Sequence, residues 1–370
     1  MSQQPGKSRS RLFKLFAGCG VALLLLILIE GLASVVVFVH DVSTRSENPP
    51  AERRHTRYDA ELGWVNIPGT RAEGLYGPGR DVTINAQGFR GERDVAVEVP
   101  DGRVRIVCSG DSFTFGYGVG DGDTWCAQLE DLAPRLEVVN MGQGGYGLDQ
   151  IYLWYLRDGK GLDLDVHLVA INTHDIERMT SDVFFGYGKP TLTMDGGALR
   201  PDRVPVPEAG FAAPWATQNA GLLRKLGVVD MLARLTGSLG METWRDVMTV
   251  EQAMDLALAA VQHLAAISRE KGAAFVFVFF PAGYELTNPV MDSVRVRFRE
   301  ALLAAEIPVI DLVDYFRSLP LSEARAMFIR HGEVDYPGAE GHFTQSGNWQ
   351  AAQQLLFELR KIPGVAARLR

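Results

Sequence analysis

From residue 103 onward, short runs of β-branched and aromatic residues alternate with longer stretches of helical period. The apolar runs are VRIVCSG at 104–110, LEVVNMG at 136–142, DVHLVAIN at 165–172, AAFVFVFFP at 273–281 and IPVIDL at 307–312. Helical period fills the stretches near 123–133, 149–157, 250–271, 290–305, 321–330 and 345–360. Alternation of this kind predicts βαβ units feeding a parallel sheet of about five strands, hence a three-layer α/β domain over 103–370. Residues 178–248 break the rhythm with a hairpin-like KPTLTMDGGALRPDRVPVP and a less regular stretch holding Trp215 and Trp244. An insertion there is either a lid beside the strand ends, where ligands of open α/β sheets sit, or surface decoration.

The pattern upstream is different. Residues 58–102 carry short apolar pieces divided by glycine and proline, which predicts a small β-rich preface packed on the main domain. Residues 41–57 are polar, include Pro49-Pro50 and show no apolar period, as a linker does. Residues 15–39 are apolar apart from Glu30, long enough to cross a bilayer as one helix. Lys7, Arg9, Arg11 and Lys14 precede the span, so the positive-inside bias keeps residues 1–40 as a cytoplasmic tail and signal-anchor, with everything after them extracytoplasmic. The alternative is a cleaved signal peptide with 15–29 as its apolar core and GLAS at 31–34 as the cleavage region. The continuing VVVFV favours the anchor. Both readings export the domain, and the first makes the lipid bilayer a partner.

Composition narrows the function classes. With 370 residues, 46% of them hydrophobic, and a formal net charge of -8, the chain can bury a substantial core and lacks the basic footprint that a nucleic-acid partner requires. Cys19, Cys108 and Cys126 offer no CxxC spacing and no disulfide framework, and the seven histidines show no H-x-H or H-E-x-x-H, so no metal and no cofactor is assigned.

Candidate chemistry centres on SGDSFTFGYG at 109–118, where the first strand breaks into small and polar residues around Ser112. A phosphate loop would need a GK[ST] ending, and a dinucleotide fingerprint would need its glycines directly after the strand; neither is present. G-x-S-x-G is absent too. Ser112 is therefore either a helix cap or a nucleophile. A nucleophilic serine needs a base held by an orienting group, and EGHFTQSGNW at 340–349 supplies His342 with Glu340 two residues before it. Glycines in NMGQGGYG, 140–147, would let a backbone N–H approach a developing oxyanion, or would make a plain tight turn.

Four segments in order, SGDSFTFGYG, VVNMGQGGYG, VAINTHDIERM and EGHFTQSGNWQAA, resemble the blocks of the SGNH, or GDSL-like, hydrolase family over roughly residues 104–360. DAELGWVNIPG and VTINAQGFRG also look like the leader of its membrane-anchored bacterial members. The resemblance implies a flavodoxin-like sheet, Ser112 as nucleophile, His342 as base, and an oxyanion hole from the backbone N–H groups of Ser112 and Gly145 plus a side chain of the third block. Two departures stand out. The third block aligns His174 with the family's asparagine, and a two-residue slip would make Asn172 the donor instead. Glu340 stands where the family has aspartate.

The function expected from these residues is a tethered serine esterase that hydrolyses or transfers O-acyl groups, with an acylated glycan of the envelope or a small ester as substrate. A weakly active glycan-binding subunit of a polysaccharide export system and a lipase or thioesterase at the membrane are the alternatives.

Overall fold

The computed structural model describes residues 7–44, 55–184, 187–206, 246–287, 289, 292–336 and 338–369. Most of the expected linker, residues 45–54, and much of the insertion, residues 207–245 with Trp215 and Trp244, lie outside the described residues. The N-terminal helix Lys7–Thr44 belongs to one compact unit, and the described residues from 55 onward belong to the other. Within that helix Phe16–Val36 forms 21 residues of mean hydropathy 2.5, long and apolar enough to cross a membrane or to act as a signal sequence.

The main unit is built on five parallel strands: β1 (Val104–Gly110), β2 (Leu136–Gly142), β3 (Val166–Ile171), β4 (Ala274–Phe279) and β5 (Val309–Asp311). Their spatial order is β2-β1-β3-β4-β5, the doubly wound flavodoxin-like arrangement. Register runs from Val104 opposite Leu136 to Gly110 opposite Gly142, and from Ile106 opposite Val166 to Gly110 opposite Ala170. β1, β2 and β3 are buried at every residue, as a parallel sheet covered on both faces requires.

Side chains alternate between two cores. Ile106, Cys108, Leu168, Val276 and Val278 meet one set of helices, including Trp125–Leu132 and Gln345–Leu359. Val107, Val139, Val169, Phe277 and Phe279 face the other, with Val250–Glu270 among its helices. Cys108 and Cys126 are buried free thiols in the first core.

Some boundaries differ from the sequence expectation. β5 is only three residues long because Asp311 caps a helix, Leu312–Ser318, by accepting the Val313 N–H. The helix expected over 321–330 stops at Ala326, and the chain gains a terminal helix, Pro363–Leu369. The hairpin in the insertion pairs Thr191–Asp195 with Ala198–Asp202 around Gly196-Gly197.

Residues 55–102 form two small antiparallel pairs, Thr56–Asp59 with Gly63–Asn66 and Arg71–Ala72 with Val82–Thr83. Leu62, Trp64, Phe89 and Val95 join the core beside Val107 and Met141. At the other end of β1, fully buried Arg105 pairs with Glu137 and donates to the carbonyls of Val97, Glu98 and Asp163. Buried charge of this sort survives because every donor finds an acceptor.

Candidate active site

β1 ends at Gly110, packed so tightly that a Cβ would lie 2.4 Å from the Ala170 carbonyl oxygen. The chain then turns. Asp111 Oδ1 accepts the Phe113 N–H at 2.9 Å and caps a single helical turn, Ser112–Phe115, which Gly116 stops in the left-handed conformation. Ser112 thus sits at the carboxyl end of β1, where ligands of such sheets bind.

His342 arrives on the loop before the helix Gln345–Leu359. That loop is fixed by backbone bonds from the Ile329 N–H to the His342 carbonyl and from the Gly341 N–H to the Ile329 carbonyl, both 2.8 Å. Ser112 Oγ and His342 Nε2 lie 2.7 Å apart, across 230 residues of sequence. The imidazole is stacked on Phe113 at 4.5 Å and leans on Tyr117 at 5.3 Å. Burial there pushes its pKa down to about 4; Arg178 works in the same direction, while Asp111 and the Ala339 and Glu340 backbone carbonyls oppose it. At neutral pH the ring is therefore unprotonated, the state a base needs.

The structure does not bring Glu340 to the imidazole. Its carboxylate lies 3.0 Å from His331 Nδ1 on the exposed surface, and His342 Nδ1 is buried with no hydrogen-bond partner among the described residues. Gly341, at φ +80°, bends the chain between the two residues, so closeness in sequence does not place them on one side.

Gly145 follows β2 with φ +76°, and a Cβ there would meet Phe184 Cε1 at 2.5 Å. Its N–H and that of Ser112 donate to no protein acceptor among the described residues. Trp64 Nε1 donates to the Gly144 carbonyl at 2.8 Å, and the Tyr146 hydroxyl donates to the Trp64 carbonyl, so the loop is held from two sides.

The two residues of the third block part company. Asn172, the first residue beyond β3, donates from Nδ2 to Asp111 Oδ2 at 2.7 Å and accepts the His174 N–H on Oδ1 at 2.9 Å. His174 turns to Glu177, with Nδ1 2.5 Å from Oε2, and its ring meets the edge of Tyr284 at 5.1 Å. That hydrogen bond pulls the Glu177 carboxyl below its ordinary range.

Asp111 caps the turn that carries Ser112, and Asp175 follows His174. Both are wholly buried, and Arg178 bridges them, 3.4 Å from Asp111 Oδ2 and closer still to Asp175. Burial, and next the charge of Asp111, push the Asp175 carboxyl well up. Arg178 also donates to the Tyr146 carbonyl at 3.1 Å and lies 5.0 Å from the Phe184 ring. Arg90, in the GFRG of the preface, was missed entirely. Its guanidinium donates to the carbonyls of Phe115, Gly116 and Val119 at 2.9–3.0 Å and to Asp121 at 3.0 Å, clamping the loop that follows Ser112. An arginine amid glycine and phenylalanine next to a GDS block was the available signal.

No protein-family model and no curated protein matches the chain. Among solved structures it is similar to a lipase/acylhydrolase from Enterococcus faecalis, at 13% identity and TM-score 0.39, over 70% of this chain and 96% of that one. A lipolytic protein of the G-D-S-L family from Veillonella parvula gives 15% and 0.36, over 69% and 97%. An acetyl xylan esterase gives 12% and 0.39, over 69% and 99%. The second of these carries the G-D-S-L name of the family that the four sequence blocks resemble.

Proposed function

We propose that the chain is a serine esterase. The observation that carries this reading is the 2.7 Å contact between Ser112 Oγ and His342 Nε2, made by an unprotonated imidazole at the mouth of the sheet. Ser112 Oγ attacks the ester carbonyl carbon as its proton passes to Nε2. The carbonyl π electrons move onto oxygen, which the N–H groups of Ser112 and Gly145 receive. His342 returns the proton to the departing alcohol, leaving an acyl-serine. A water then repeats the sequence, giving its proton to His342, and the acid leaves as Ser112 regains its hydrogen. A sugar hydroxyl in place of that water makes the same site an acyltransferase.

For the third donor we favour Asn172 over His174. The Asn172 amide has two hydrogens and spends one on Asp111 Oδ2, the oxygen that also lies 3.4 Å from Ser112 Oγ. His174 Nδ1 is held by Glu177.

The substrate class follows from placement. With basic residues ahead of an apolar span, the domain stands outside the cytoplasm on a membrane tether, where O-acylated envelope glycans are within reach. Exposed Tyr284 beside His174 offers a flat aromatic face that suits a sugar ring.

The deciding experiment is reaction of the protein with a p-nitrophenyl phosphonate, mapped by mass spectrometry. The expected adduct is on Ser112, with p-nitrophenyl acetate hydrolysis abolished in Ser112→Ala and His342→Ala. An adduct elsewhere, or hydrolysis that survives Ser112→Ala, ends the proposal. Preference for acetyl over long acyl chains separates a glycan deacylase from a lipase.

A further inference from the structure

The base in this site lacks the carboxylate that usually faces the second ring nitrogen. Among the described residues His342 Nδ1 has no hydrogen-bond partner, and the nearest carboxylate in sequence, Glu340, is spent on His331 at the surface. Yet when His342 takes the Ser112 proton it becomes a buried cation, which is costly without a compensating negative charge.

We propose that Asp111 supplies that charge across the nucleophile, a role that rests on the serine-esterase reading above. Asp111 is wholly buried, and its Oδ2 lies 3.4 Å from Ser112 Oγ, itself 2.7 Å from His342 Nε2. Those two contacts put Oδ2 at most about 6 Å from Nε2, the outer limit of the range in which an opposite charge favours an ionised group. Its position is not adjustable. Oδ1 is fixed by the Phe113 N–H and Oδ2 by Asn172 Nδ2 at 2.7 Å, with Arg178 at 3.4 Å.

The other groups around the imidazole do not offer the same service. Phe113 and Tyr117 cover its faces with rings, and the Ala339 and Glu340 carbonyls favour the cation without closing a hydrogen bond. Arg178 opposes it, but that guanidinium makes its tightest contact with Asp175. Asp111 outweighs Arg178 at the ring. Asp111 is thus a positioning residue that acts on the acid–base step through Ser112 and His342, while also presenting Asn172 to the oxyanion.

The test is the pH dependence of Ser112 labelling by p-nitrophenyl phosphonate, using the full chain in detergent. Wild type is expected to lose labelling as pH falls through about 4. In Asp111→Asn the acidic limb is expected to move down by ~1 pH unit and the plateau rate to fall about tenfold, because a less basic imidazole is a weaker proton acceptor. A folded Asp111→Asn protein with the wild-type limb overturns the assignment, since a merely structural defect lowers the plateau without moving the limb. If that variant does not fold, Glu340→Gln decides: wild-type limb and plateau are expected, and a shifted limb with a lost plateau would restore Glu340 and overturn Asp111. Wild type that never labels Ser112 removes the serine-esterase reading itself, which is a distinct result.

Discussion

Trp64 donates its indole N–H to the carbonyl of Gly144, 80 residues later, at 2.8 Å. That bond fixes the peptide immediately before Gly145, whose own N–H meets no protein acceptor among the described residues. The preface is therefore a support of the candidate oxyanion site rather than a separate ornament.

Trp64→Phe keeps an aromatic ring in the core and deletes the donor together with part of the ring volume. Loss of one buried hydrogen bond is expected to cost about 1–3 kcal/mol. Because the deleted bond holds Gly145, kcat for p-nitrophenyl acetate should fall more than KM rises. Steady-state kinetics and urea unfolding of the same preparation test this; equal stability loss with unchanged kcat would detach Trp64 from the site.

Arg90 holds the opposite flank. Its side chain is 1% exposed and satisfies three carbonyls of the loop after Ser112. Arg90→Met leaves the Phe115 and Val119 carbonyls without that donor and Asp121 without its ionic partner. Breaking such a buried arrangement is expected to cost about 3–5 kcal/mol. Arg90→Lys should recover little, since one ammonium cannot reproduce a planar fork. Thermal unfolding of both variants gives the answer.

The meeting of Ser112 and His342 was legible because each stands in a short block with its own turn chemistry, and the strand-helix rhythm told which end of the sheet both blocks reach. Glu340 was misplaced for the reason that misleads any linear reading. Spacing along a loop says nothing about side once a left-handed glycine intervenes, and Gly341 turns the carboxylate to His331. The choice between Asn172 and His174 depended on where β3 ends, a matter of one or two residues that periodicity does not resolve. Arg90 and Trp64 act through contacts with sites 25 or more residues away in sequence, as does Arg178 where it reaches Asp111, and no local pattern announces those.

Gly145 is doubly constrained. Its φ of +76° disfavours any residue with a Cβ, and that Cβ would strike Phe184. Gly145→Ala should shift the peptide and misdirect its N–H, lowering kcat by about 100- to 1000-fold, the usual cost of one oxyanion donor. Adding Phe184→Ala relieves the clash and leaves the backbone strain, so the double variant is expected to stay slow. Full recovery in the double variant would make the site tolerant of the φ change and place the whole defect in packing.

His167 gives a prediction about stability in acid. It is fully buried on β3, stacked on Tyr155 at 4.0 Å, with Ser109 Oγ 3.0 Å from Nε2, and burial pushes its pKa down to about 3. Between about 6.5 and 3 the unfolded chain binds a proton here that the folded chain refuses, so stability must fall as pH falls through that window. Fully developed, the slope from this group is about 1.4 kcal/mol per pH unit. His167→Gln keeps hydrogen-bonding capacity toward Ser109 and removes the titration. The variant is expected to be less stable at pH 7 but to lose less stability than wild type between pH 6 and pH 4. Urea unfolding of both proteins across that range measures the difference, and parallel pH profiles would mean that the folded protein accommodates a charged imidazole at the centre of its sheet.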